Sequence, residues 1–203
     1  MIFFDDLLLG QDFAGAVNGI AADVRSSYDF PEIHQLGLVV PDVIKAAKKY
    51  EEKGIGPFFI AAGSPVLWRE RGDEKRVSGR MGLAHYKGFE IELLEPLEGS
   101  DFYTRSLGPG GKTVLQHLGF LVNDVDARAD LLEASGIPIY VRGILKSGPL
   151  KTDFAYMEPV GSEGVILEFI SWRLMGFRFT PPNVVFRILG RIEKWSGKRC
   201  IDM

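Results

Sequence analysis

The sequence predicts an α+β fold of two paired β-α-β-β-β modules followed by a C-terminal amphipathic helix. Three observations predict it: an internal repeat at a fixed offset, period-two alternation in the segments that repeat, and a basic stretch with helical periodicity after two consecutive prolines. The segments "IHQLGLVVPDV" (33–43) and "LQHLGFLVNDV" (115–125) share the frame Leu-Gly-x-x-Val-x-Asp-Val, with Gly37 and Asp42 separated from Gly119 and Asp124 by the same 82 positions. The offset runs on through Ala47 with Ala129 and Gly54 with Gly136. It resumes at 76, where "GFEIELLEP" (88–96) pairs with "GVILEFIS" (164–171) and Glu92 with Glu168.

Each copy reads alike, element by element. Leu36, Leu38 and Val40 alternate with Gln35, Gly37 and Val39, and Leu118, Phe120 and Val122 with His117, Gly119 and Leu121, as strands with two distinct faces require. Asp42 and Asp124 then stand where a carboxylate can cap the first free N–H groups of a helix. The helices "VIKAAKKYEEK" and "VDARADLLEAS" stop at Gly54 and Gly136. "GPFFIAAG" with "RVSGRMGLAHYKG", and "PIYVRGIL" with "TDFAYMEPV", supply two more strands each before the final one. The expected organisation is an N-terminal extension over 1–30, modules over 31–98 and 113–171, a linker over 99–112, and a basic C-terminal extension over 172–203.

The apolar alternate of each strand goes under its helix, which turns the other set to the opposite face. Gln35 and His117 on the first strands, and Glu92 and Glu168 on the last, thus occupy equivalent places of a two-fold repeat. If the curved mixed sheets enclose a shared cavity, the four converge. Glu168 has Ile166 and Ile170 as same-face neighbours, where an ionised carboxylate is costly unless paired. Two carboxylates, an imidazole and an amide oxygen form a ligand set for Zn, Ni, Co or Mn. Such an ion polarises a carbonyl oxygen, and Glu92 or Glu168, exchanging between ligand and base, can move the adjacent proton.

"HLGFLVND", "EIELLEP" and "GVILEF" set in paired modules resemble the vicinal oxygen chelate superfamily, which includes glyoxalase I, methylmalonyl-CoA epimerase, extradiol dioxygenases and bleomycin-resistance proteins. The resemblance covers about residues 31–171. It implies metal ligands from the first and last strands of each module, here Gln35, Glu92, His117 and Glu168, and a metal-dependent isomerase, epimerase or lyase acting on a carbonyl or thioester such as an acyl-CoA. "IELLEPLEGSDF" followed by "LQHLGFLVNDVDA" is most similar to the epimerases. Val39, Pro96 and Thr113 stand where glutathione-binding members carry Arg and Asn, and "AAGSPVLWRERGDEKRVSG" is an insertion relative to the compact epimerases.

Two other functions compete. An Fe(II) ring-cleaving dioxygenase needs two histidines and a carboxylate, which His34, His117 and Glu168 supply only if the first strand is bulged by one residue. A binding protein without turnover is the third class. A net charge of −3 gives no global attraction to nucleic acid, and Cys200, the sole cysteine, leaves no internal disulfide. Asp5 and Asp6 stand where a signal peptide carries basic residues, which points to a cytoplasmic protein. "GPGGKT" (108–113) is a linker rather than a phosphate loop, and His85 is a bystander. Residues 171–203 carry seven basic and two acidic residues, leaving −8 on the rest of the chain. Within them Val184, Val185, Ile188, Leu189, Ile192 and Trp195 share a helix face, expected to pack on the sheets or at a homodimer contact, with a lid, a CoA-phosphate patch or a membrane-surface anchor as the alternatives.

Overall fold

A computed structural model describes residues 1–197 and 199–202. A short strand β1 (Ile2–Phe3) and three helices, α1 (Phe4–Leu9), α2 (Phe13–Gly19) and α3 (Ala22–Ser27), lie ahead of the repeat. The first repeat unit runs β2 (Gln35–Val39), α4 (Val43–Glu52), β3 (Phe59–Gly63), a hairpin of β4 (Leu67–Glu70) and β5 (Asp73–Glu74), then β6 (Ser78–Tyr86) and β7 (Phe89–Glu98). The second runs β8 (Val114–Leu121), α5 (Val125–Ala134), β9 (Ile139–Ser147), β10 (Leu150–Met157) and β11 (Ile166–Leu174). The tail adds β12 (Phe177–Arg178), α6 (Asn183–Ser196) and β13 (Ile201–Asp202).

Local chemistry sets the repeated helices. Asp42 accepts from the Lys45 N–H at 2.9 Å and Asp124 from the Ala127 N–H at 3.0 Å, so each helix begins on a carboxylate cap. Gly54 and Gly136 end them at φ +83° and +87°, a backbone region that disfavours a side chain. The strands form one mixed sheet in the order β13-β3-β6-β7-β2-β8-β11-β10-β9-β4-β5, with β2 and β7 parallel and β8 and β11 parallel. Its helix-side core joins both repeats through Leu36, Leu38, Leu93, Leu118, Phe120, Leu167 and Phe169. The N-terminal helices belong to that core: Phe4 meets Tyr50 edge-on, Phe13 meets Phe89, and Asp5 bridges Lys49 and Lys53 at 2.6 and 2.7 Å.

The repeats meet where β2 lies antiparallel to β8, with Gln35 opposite Gly119 and Gly37 opposite His117. This register explains why the frame repeats its glycine. A Cβ on Gly37 would lie 1.8 Å from Cε1 of His117, and one on Gly119 would lie 2.9 Å from Cβ of Gln35. Each repeat's glycine leaves room for the other repeat's polar side chain. Beyond Gly37 the register slips, Leu38 facing Leu115, so Gln116 is the extra residue of a bulge on β8.

Both ends of the sheet are covered by segments whose partners lie far away in sequence. The insertion strand β4 leaves the first repeat and pairs with β9 of the second, while β13 adds to β3. Helix α6 docks beside β3: the Glu193 carboxylate accepts from the Ile60 N–H at 3.0 Å, and Phe186 stacks on Phe59. Of the two expected placements of its apolar stripe, packing on the sheets is not the one observed. Phe186, Gly190 and Glu193 face inward, Val185 and Leu189 are partly buried, and Val184, Ile188, Ile192 and Trp195 are exposed, Trp195 to 90%. Gly190 allows the approach, since a Cβ there would sit 2.7 Å from the Phe58 carbonyl oxygen.

Gly37→Ala should destabilise the protein by about 1–3 kcal/mol through overpacking. Gly119→Ala should cost less, because its nearest contacts, with Gln35 and Ile170, lie at 2.9 Å rather than 1.8 Å. Paired urea melts check the order; equal and small losses would contradict the proposed packing role.

Candidate metal centre

The bulge and the parallel pairings bring three of the four expected side chains to one point. His117 on β8 is fully buried, its Nε2 3.2 Å from a Glu168 carboxylate oxygen on β11 and 3.4 Å from one of Glu92 on β7. Ligand atoms of Glu92, His117 and Glu168 all lie within 4.8 Å of one another. Gln35, the fourth, lines the same cavity, but its amide N–H donates to Glu90 at 2.7 Å. Its Oε1 has no hydrogen-bond partner.

The imidazole is held by a neighbour that strand alternation alone points away from the cavity. The Gln116 amide faces the Phe102 carbonyl oxygen at 3.0 Å on one side and Nδ1 of His117 at 3.2 Å on the other. A carbonyl only accepts, so the NH₂ faces Phe102 and the amide oxygen faces His117. Nδ1 therefore donates to Gln116, which leaves Nε2 as the nitrogen that faces the carboxylates. The bulge at Gln116 accounts for this departure from alternation.

Without a cation this arrangement is poorly satisfied. Neither Nε2 of His117 nor Oε2 of Glu168 has a partner with hydrogen-bond geometry despite the short separations, and both are buried. Burial alone would push the imidazole down, but the Glu168 and Glu92 carboxylates overcome it and hold His117 up to about 9. Burial raises Glu168 against the pull of His117. Glu90 is pushed up to about 8 by burial, opposed by the Gln35 hydrogen bond and reinforced by the Glu92 and Glu168 charges. An imidazole nitrogen and two carboxylates within 4.8 Å of one another, in a low-dielectric site, fit a divalent ion that displaces the imidazole proton.

His34 is not part of the cluster that Glu92, His117 and Glu168 form. Its N–H donates to the Gly119 carbonyl and its carbonyl accepts from the Glu90 N–H, keeping the strand regular there, and the bulge falls on β8 instead. A His34, His117 and Glu168 face is therefore not assembled. His85 stacks on Phe186 and is driven down to about 4 by burial and nearby His34.

Glu92 and Glu168 of the triad, with Gln35, line a cavity of about 130 Å³. Its walls include Trp68 from the insertion, Tyr103 from the linker, and Leu94, Phe154, Tyr156 and Trp172 from the sheet. The Tyr103 and Tyr156 hydroxyls lie 2.9 Å apart, and burial pushes both well above the ordinary phenol value, so they stay protonated. Arg80, also on the wall, is bound to Glu95 at 2.8 Å. Alternation in "TDFAYMEPV" places Tyr156 with Phe154 and Thr152 on the cavity face, a signal open to sequence reasoning. Nothing local places Trp68 or Tyr103 there.

Residues 34–156 match the family described as the Glyoxalase/Bleomycin resistance protein/Dioxygenase superfamily, more than half of the chain. Among solved structures, methylmalonyl-CoA epimerase from Mycobacterium tuberculosis is similar at 20% identity, covering 68% of this chain and 85% of that one with a TM-score of 0.47. A mutant of 4-hydroxymandelate synthase from Streptomyces coelicolor is similar at 13% identity, covering 82% of this chain and 56% of that one with a TM-score of 0.50. No curated protein matches the chain.

Two outcomes follow for metal titrations. In the folded, metal-free chain the raised imidazole contributes stability that is complete below about 6.5 and lost as pH rises through about 9. Near pH 7.5 it is an imidazolium, so Zn binding should release about one proton from Nε2, measured calorimetrically in buffers of different ionisation enthalpy. Gln116→Leu should weaken Zn binding by about 10–100-fold, because nothing then fixes the tautomer; unchanged affinity would refute that role.

Proposed function

The chain belongs to the glyoxalase, bleomycin resistance protein and dioxygenase superfamily, and from that premise we propose that it is a metal-dependent isomerase, epimerase or lyase moving a proton next to a carbonyl. The observation that carries the reading is the buried Glu92–His117–Glu168 triad, whose two carboxylates line an apolar cavity. A divalent ion held by these residues, with Gln35 as a fourth donor, would supply Lewis-acid polarisation of a carbonyl oxygen.

The remaining chemistry belongs to the chain. Glu168 holds a proton more readily than an ordinary carboxylate, which suits it to taking one from carbon and returning it. Glu92 approaches the same imidazole nitrogen and can keep the ligand role while Glu168 acts, or the reverse. The protonated Tyr103 and Tyr156 hydroxyls can donate to an oxygen that gains negative charge. Trp68, Leu94, Phe154 and Trp172 exclude water and favour the apolar part of a carbonyl or thioester substrate.

In deuterated water the Zn- or Co-loaded protein should wash deuterium into the carbon next to the carbonyl of a true substrate, sought across acyl thioesters, hemithioacetals and α-hydroxy ketones. Glu168→Ala should lower the exchange rate by about 10²–10⁴. Binding without exchange across that panel would mark a binding protein instead, and oxygen uptake with catechols would mark a dioxygenase.

A further inference from the structure

We propose that the sheet end formed by the β9–β10 and β11–β12 turns docks on a bilayer bearing anionic lipids, and that docking brings the cavity wall up to the membrane. Strand register carries the inference. Lys146 lies opposite Lys151, Lys151 opposite Arg173, and Arg173 opposite Arg178. Four cations thus form one row across four adjacent strands, on one face and at about the 4.8 Å strand spacing. Like charges directly opposite repel, so folding gains nothing from the row. Lys151 is bridged to Asp153 at 2.9 Å; among the described residues no carboxylate lies within bridging distance of Lys146, Arg173 or Arg178. The row stands out against a chain that carries −8 outside residues 171–203.

One step outward the sheet ends in apolar side chains. Leu150 lies opposite Leu174 and Leu174 opposite Phe177, and Met175 occupies the turn. Met175 is 77% and Phe177 79% exposed. An apolar tip above a cationic row matches a bilayer surface, where anionic headgroups meet the cations and acyl chains the tip. A nucleic acid would use the cations and leave the tip in water. A second copy meeting this end with its own would set cations against cations. Among the described residues no helix is long and apolar enough to cross a membrane, so the attachment is peripheral.

The position relative to the cavity gives the docking a purpose. One step inward from the cations, and on the other face, Leu145, Thr152 and Trp172 lie side by side and line the cavity. A membrane-held apolar compound would reach the cavity from this end.

The test uses the full chain and sedimentation with vesicles of phosphatidylcholine, alone or with about a third phosphatidylglycerol. Binding is expected to the mixed vesicles at low salt, to fall as salt rises, and to be weak with phosphatidylcholine alone. Arg173→Glu with Arg178→Glu, and separately Met175→Ser with Phe177→Ser, should each reduce it about tenfold or more. These positions are exposed or partly exposed, and thermal melts verify that the variants fold. Ile188→Ser with Trp195→Ser on the exposed stripe of α6 should leave binding within about twofold. Absence of binding to mixed vesicles would overturn the proposal. So would indifference to both hairpin variants, loss confined to the α6 variant, or tighter binding to a DNA duplex than to the vesicles.

Discussion

The antiparallel pairing of β2 with β8 is the contact on which the rest of the molecule depends. It sets Gln35 against Gly119 and Gly37 against His117, so each repeat's polar side chain occupies the space left by the other's glycine. From this junction the parallel neighbours β7 and β11 bring Glu92 and Glu168 alongside. A slip of one residue would turn every one of these side chains to the helix face, where Leu36, Leu38, Leu118 and Phe120 pack. The hydrophobic core and the candidate centre are thus specified by the same register.

The bulge at Gln116 adds a refinement that a perfect repeat lacks. It breaks the symmetry between Gln35 and His117 by giving only the second repeat an amide that fixes an imidazole. Gln35 is engaged instead with the buried Glu90. The centre is therefore asymmetric: one tightly oriented nitrogen, two carboxylates, and an amide whose oxygen remains free. Concentrating this much potential negative charge around one imidazole in a low-dielectric setting is costly, and the cost falls when a cation is shared among them.

Much of the fold was legible because its determinants are local. Period-two alternation in "QLGLVV" and "HLGFLV", the caps Asp42 and Asp124, and the helix-ending glycines act within a few residues of themselves. Convergence of Glu92, His117 and Glu168 could be inferred because the repeat makes their positions equivalent. What escaped was set by distant pairing. The crossing of β4 to β9, which brings Trp68 to the cavity, leaves no local trace, and neither does the turn of the linker that delivers Tyr103. Periodicity marks the apolar stripe of α6 but does not say which face docks on the sheet, and Gly190 and Glu193 fix the opposite face against Phe58 and Ile60.

The central claim is that Glu92, His117 and Glu168 hold one divalent ion between them. Anomalous diffraction from crystals grown with Zn or Co tests it directly. One peak is expected at about 2.0–2.2 Å from Nε2 of His117 and from an oxygen of each carboxylate. A map with no peak there, or an ion bound elsewhere while Nε2 of His117 hydrogen-bonds to Glu168, would contradict it.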